Sequence, residues 1–189
     1  MTTPVPPLNL LAAVFGISEV TLSLWRRSKN ATGTDDRGSL RLIWMVVPAS
    51  LLVAFLLTQW ARWAAFGPNA AVYDSGVLLF CAGLVLRWYS ILYLGKYFTV
   101  NVSVSPDHRV IDTGPYRYIR HPSYSGALLE FLGFALCLQN LAALAAIMIP
   151  VVVSFSYRIR VEEAVLAAAL GENYRRYMRH TRRLIPGIY

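Results

Sequence analysis

Apolar residues in this chain fall in blocks rather than in stripes. Five can be drawn: Leu8–Trp25, Leu42–Trp60, Gly76–Leu94, Ser123–Leu138 and Asn140–Tyr157. A helix needs about 20 apolar residues to cross a hydrocarbon core of roughly 30 Å, and the blocks approach or reach that length. The pattern predicts an all-α integral membrane fold with five transmembrane helices. The fourth block is short for a full span, so it tilts little or starts at the interface. The last two blocks meet at Gln139-Asn140, a connection so short that they must form an antiparallel hairpin.

Beyond Tyr157 the pattern changes. The tail "RVEEAVLAAALGENYRRYMRHTRRLIPGIY" is not a span. Val161–Leu170 is rich in strong helix formers. Gly171 is expected to end or bend that helix, and "ENYRRYMRH" predicts a second, short basic helix on the membrane surface. At the other end, "MTTPVPPLNLLAAVFG" has no basic stretch before its apolar residues. The first block is therefore expected to remain as a spanning helix.

Composition agrees with the blocks. Of 189 residues 56% are hydrophobic, and the mean hydropathy is +0.46, which is too apolar for an ordinary soluble domain. The length predicts one domain, 1–189, with three N-terminal helices in 1–94 and a connector, hairpin and tail in 95–189. Cys81 and Cys137 lie inside apolar blocks and read as small buried hydrophobes.

The formal net charge is +8, and its placement sets an orientation. Five basic residues follow the first block, four lie in the 95–122 connector and seven in the tail from Arg158 onward. The positive-inside rule makes all three segments cytoplasmic. Five spans then put the N-terminus outside and the C-terminus in the cytoplasm. Membrane lipids with anionic headgroups account for the charge without a nucleic-acid partner. The expected location is a bacterial or archaeal cell membrane, or the endoplasmic reticulum in a eukaryote.

Candidate chemistry concentrates at that cytoplasmic face. "HRVIDTGPYRYIRHPSYSG", residues 108–126, holds two of the three histidines, three tyrosines and three arginines. "TGPYRY" is a turn signal, and Pro122 suits the first turn of the fourth helix. Free backbone N–H groups there favour an acceptor or an anion, and His121 and Tyr124 flank them. An interfacial aromatic belt is the plainer reading, but belt residues scatter instead of gathering in one loop. Arg158 and Glu162 share a helix face four residues apart, next to hydrocarbon, where charges need each other or a cavity. Glu19, Arg87 and Glu130 are intramembrane charges, and Arg87 can pair with either carboxylate. No G-x-G-x-x-G, Walker A, H-E-x-x-H or C-x-x-C occurs, so no metal site is expected and any cofactor is held by helix ends and loop.

"GPYRYIRHPSYSG", a hairpin and then "EEAVLAAALGENYRRYMRHTRRLIP" resemble the isoprenylcysteine carboxyl methyltransferase family over about Leu94–Pro186. The resemblance implies a membrane enzyme that uses S-adenosylmethionine, bound at the cytosolic face, and takes a lipophilic or prenylated acceptor sideways from the bilayer. It implies cofactor contacts at Asn101, His108, Arg109, Val110, Ile111, Tyr116, His121, Pro122, Ser123, Tyr124 and Glu162. It assigns the acceptor to Arg158. The nearest chemistry is carboxyl O-methylation of a prenylated cysteine. Methylation of a lipid amine or thiol, a sterol-type membrane reductase and a non-enzymatic scaffold remain open at this stage.

Overall fold

The computed structural model describes residues 6–25, 38–98 and 109–187. Among the described residues are five α-helices: α1 (Leu8–Trp25), α2 (Ser39–Trp60), α3 (Ala70–Leu94), α4 (Pro122–Cys137) and α5 (Leu141–His180). Four of them are long and apolar enough to cross a membrane; α4, with 16 residues, is the short one. Large apolar side chains such as Leu24, Leu52, Leu78, Val85 and Val153 point outward, as they do where lipid replaces water as the solvent. The chain is an all-α, multi-pass integral membrane protein. Residues 99–108 of the connector lie outside the described residues.

Glycine sets the closest helix packing. A Cβ on Gly83 would stand 2.5 Å from the Gly126 carbonyl, and one on Gly76 would stand 2.7 Å from the Gly133 carbonyl. The two glycines of α3 and the two of α4 are each seven residues apart, and they meet in antiparallel order. Small residues at matched positions let membrane helices approach backbone to backbone, where packing replaces the missing hydrophobic drive. α2 lies along α5. Ala54, Ala127, Phe131, Ala135, Ala143, Ile147, Val151 and Phe155 fill the core among α2, α4 and α5.

The turn between α4 and α5 also fixes the turn between α2 and α3. Asn140 caps α5 by accepting from the Ala143 N–H at 2.9 Å, and its side-chain amide donates to the Ala61 carbonyl at 3.0 Å. Gln139 donates to the Asn69 carbonyl at 2.7 Å and accepts from the Asn69 N–H at 3.3 Å. Both turns therefore sit at one end of the bundle. The described parts of the connector, 95–98 and 109–121, gather with the tail up to residue 187 at the other end.

α5 differs from its expectation. Its helix continues through Arg158 without a break as far as Gly171, and the 30 residues before that glycine, 141–170, make about 45 Å of helix. That is about one and a half times a hydrocarbon core. About 20 residues, 141–160, are enough to cross, and the remainder projects beyond the membrane. The expected bend falls at Gly171, whose φ of 59° and ψ of −134° suit a residue without Cβ. The short basic helix follows it within the same element.

Candidate functional site

Pro122 occupies the first turn of α4, where its missing N–H costs no hydrogen bond. The residues just before it are held from outside the helix. The Arg120 N–H donates to the Arg182 carbonyl at 2.7 Å and the His121 N–H to the Arg183 carbonyl at 3.0 Å. Ser125 Oγ donates to the Leu184 carbonyl at 2.7 Å. A C-terminal strap, 181–184, thus lies across the start of α4. Tyr177 extends this clamp by donating to the Tyr116 carbonyl at 2.6 Å.

Inside the clamp is a cavity of about 450 Å³, within the size range of small-molecule sites. Its polar end is lined by Arg109, Val110, Ile111, Tyr116, His121, Ser123, Tyr124, Arg158 and Glu162. Its other end runs between α1 and α2, past Phe15, Ile43, Val47 and Leu51. One space therefore joins a charged mouth to the apolar interior of the bundle.

The charged groups at the mouth are ordered by direct bonds. Tyr124 donates its hydroxyl to Glu162 Oε2 at 3.1 Å, and that hydroxyl accepts from Arg158 Nε at 3.2 Å. Arg158 is buried, and it also donates to Ser39 Oγ at 2.7 Å. Glu162 and Arg158 meet through Tyr124 because four residues of helix put them on one face. Tyr116, outside the spans, is pushed well above an ordinary phenol by burial and further by the charge of Glu162, so it stays a neutral hydroxyl.

Glu163, one residue on, faces a different way. Its Oε1 accepts from Arg120 Nε at 2.7 Å and stands 3.3 Å from His121 Nε2; its Oε2 accepts from Arg183 Nε at 2.9 Å. Burial pushes its carboxyl up, but hydrogen bonds from His121, Arg183 and Arg120 win and hold it down at about 2. Arg87 pairs with Glu19 at 2.8 Å, and both line the cavity. Glu130 is fully buried, and among the described residues neither of its carboxylate oxygens has a hydrogen-bond partner.

Most of the site residues expected from the sequence come together at this mouth. Pro122 stands behind it as the start of α4, while Asn101 and His108 lie outside the described residues. Sequence reasoning missed Ser39, Tyr174, Tyr177, Arg183 and the strap. The strap left no periodic signal, and Ser39 belongs to a different helix. The E-E doublet at 162–163 was the one visible hint that two carboxylates could face two ways.

Residues 76–168 match the isoprenylcysteine carboxyl methyltransferase (ICMT) family. The protein-S-isoprenylcysteine O-methyltransferase of Schizosaccharomyces pombe is 33% identical over 62% of this chain and 51% of its own length. Protein-S-isoprenylcysteine O-methyltransferase B of Arabidopsis thaliana is 27% identical over 95% of this chain and 83% of its own length. The chain spans about half the length of the first of these relatives. The solved structure of a eukaryotic intramembrane Ras methyltransferase, ICMT, superimposes with a TM-score of 0.70. That likeness is at 23% identity and covers 98% of this chain and 70% of the other; it shows the same fold. The sequence match begins at Gly76, so α3 belongs to the shared unit together with the connector and hairpin. On these grounds residues 76–168, just under half of the chain, match the isoprenylcysteine carboxyl methyltransferase family, and the chain shares the fold of that solved structure.

Proposed function

We propose that this chain is a methyltransferase that uses S-adenosylmethionine to convert the carboxylate of a prenylated cysteine, or of a close lipophilic analogue, into its methyl ester. The observation that carries the reading is one continuous cavity, charged at one end and apolar at the other. A polar donor and a hydrocarbon-bearing acceptor need such a space to meet.

The residues at the mouth suit the donor. It carries hydroxyls, an ammonium, a carboxylate and a purine. Glu162 can accept from hydroxyls or the ammonium. Tyr124, His121 and Tyr116 offer hydrogen-bonding groups on a partly apolar wall with Val110 and Ile111. Arg109 and Ser123 complete the proposed cradle, with Pro122 behind it, and Pro122, Asn101 and His108 are assigned by resemblance. When bound, S-adenosylmethionine supplies an electrophilic methyl carbon on a sulfonium.

The chain's own part in the reaction is to align and to exclude water. A carboxylate is already ionised near neutral pH and needs no general base to attack carbon. Arg158 is suited to holding it, because a planar guanidinium can grip both oxygens. Its bonds to Tyr124 and Ser39 fix the plane before any ligand arrives, which removes an orientational cost from the displacement. Arg158 does not act as a base. Once the ester forms, the negative charge is gone and so is the guanidinium's hold on the product.

The same reading covers orientation and organisation. The clustered basic residues support a cytoplasmic mouth, with the N-terminus outside and the C-terminus inside. Residues 1–94 and 95–189 act as one unit, since the α3–α4 and α2–α5 contacts cross that division.

The test is transfer of labelled methyl from S-adenosylmethionine to an N-acylated S-prenylcysteine by the chain in lipid nanodiscs. The label should appear in the prenyl compound and be released by mild alkali as methanol. Alkali-stable label would point to an amine or thiol acceptor, and no label with any acceptor would refute the reading.

A further inference from the structure

One buried carboxylate at the mouth has no part in the proposed chemistry. Glu163 is 3% exposed and, unlike Glu162, does not line the cavity. It braces three groups that come from two places. Arg120 and His121 belong to the loop before α4, and Arg183 belongs to the strap after α5. The strap in turn bonds to the backbone of Arg120 and His121. A carboxylate fixed on α5 thus holds both sides of the clamp.

This has a consequence for His121, which lines the cavity. With Nε2 directed at Glu163, the proton is drawn to that nitrogen. Nδ1 is left as the nitrogen that can meet a ligand, and it carries a lone pair. The hydrogen bond made by one imidazole nitrogen decides what the other offers.

We infer that Glu163 is a positioning residue for the donor end of the cavity: it acts through His121, presenting Nδ1 as an acceptor for an N–H or O–H group of a nucleoside ligand, and through Arg183, locking the strap across the start of α4. This inference rests on the donor site proposed above. Glu163 itself touches no ligand.

The experiment uses the full chain in nanodiscs with ¹⁵N-labelled histidine, and S-adenosylhomocysteine as the probe. There are three histidines, and His121→Asn assigns the signal. In the wild type, His121 should carry its proton on Nε2, and its Nδ1 resonance should move when the probe binds. In Glu163→Gln that tautomer preference should be lost. Probe affinity and the donor KM should weaken about tenfold, as for loss of a charged hydrogen bond, while kcat at saturating donor falls far less. Arg183→Gln should shift the same quantities in the same direction by a smaller factor.

A purely structural brace would lower thermal stability and leave both the tautomer and the KM-to-kcat split unchanged; that result overturns the inference. If Glu163→Gln does not fold, the wild-type spectrum decides, and a proton on Nδ1 of His121 overturns it. If the wild type binds no S-adenosylhomocysteine, the proposed function falls. The positioning role would then stand or fall on whether Glu163→Gln changes the His121 tautomer.

Discussion

The hydroxyl of Tyr124 lies 3.1 Å from a carboxylate oxygen of Glu162, and Arg158 Nε donates to the same hydroxyl at 3.2 Å. One side chain from the start of α4 therefore links the two charged residues of α5. Tyr124→Phe removes both bonds and keeps the ring packed against Phe155. We expect kcat/KM for methyl transfer to fall about tenfold or more, since each lost bond involves a charged partner. Steady-state kinetics on the variant check this, and unchanged kinetics would mean that the link is incidental.

Arg158→Lys separates charge from shape. Lysine keeps the cation but loses the planar fork. Transfer to a carboxylate acceptor should drop about a hundredfold, which corresponds to roughly 3 kcal/mol of lost transition-state stabilisation. Binding of S-adenosylhomocysteine should change little. Equal transfer by both proteins would argue that the acceptor is not a carboxylate.

The α3–α4 seam makes a packing prediction. Gly83→Ala places a methyl 2.5 Å from the Gly126 carbonyl, so the helices must separate. A loss of about 1–3 kcal/mol is expected, as for overpacked cores. It would be read as a lower Tm in detergent or nanodiscs. Gly16→Ala, where a Cβ meets nothing within 4 Å among the described residues, is the control and should not lower Tm, since alanine is the better helix former.

The Arg87–Glu19 pair is partly buried, with side chains 11% and 26% exposed. Arg87→Leu leaves Glu19 without its cation, at a cost of about 1–3 kcal/mol for a partly desolvated, unpaired carboxylate. Adding Glu19→Leu should restore part of that stability. Thermal unfolding of the two single variants and the double variant measures the coupling, and strict additivity would remove the pair's structural role.

Acid should act on Glu163. Hydrogen bonds from His121, Arg183 and Arg120 hold its carboxyl down at about 2, from an ordinary 4.5. The folded state therefore binds this proton less readily than the unfolded chain does. The stability it contributes is fully present above 4.5 and is lost as pH falls from there toward 2. Wild type should lose Tm faster than Glu163→Gln across that window. Parallel curves would contradict the assignment.

The helices were legible in the sequence because lipid demands contiguous apolar runs, and α1 matches its block at both ends. The hairpin was legible because Gln139 and Asn140 leave no room for another arrangement. The continuation of α5 past Tyr157 was hidden by the change in composition at Arg158; polarity there marks the membrane boundary, not the end of a helix. At the site, Arg158, Glu162, His121 and Tyr124 were legible from charge spacing, helix-start chemistry and the family resemblance. Ser39 and Arg183 were not, since each becomes relevant only when a distant segment folds onto it. The glycines at 76, 83, 126 and 133 carried a readable seven-residue spacing in two helices, but which pairs face each other depends on the fold.

The proposed reaction needs a methyl donor held in the mouth between the connector and α5. Calorimetric titration of S-adenosylhomocysteine into the chain in nanodiscs tests it most directly, with Glu162→Gln alongside. We predict one-to-one binding by the wild type, weakened about tenfold or more in Glu162→Gln. No heat with S-adenosylhomocysteine, heat with NADPH in its place, or equal affinity in both proteins would contradict the account.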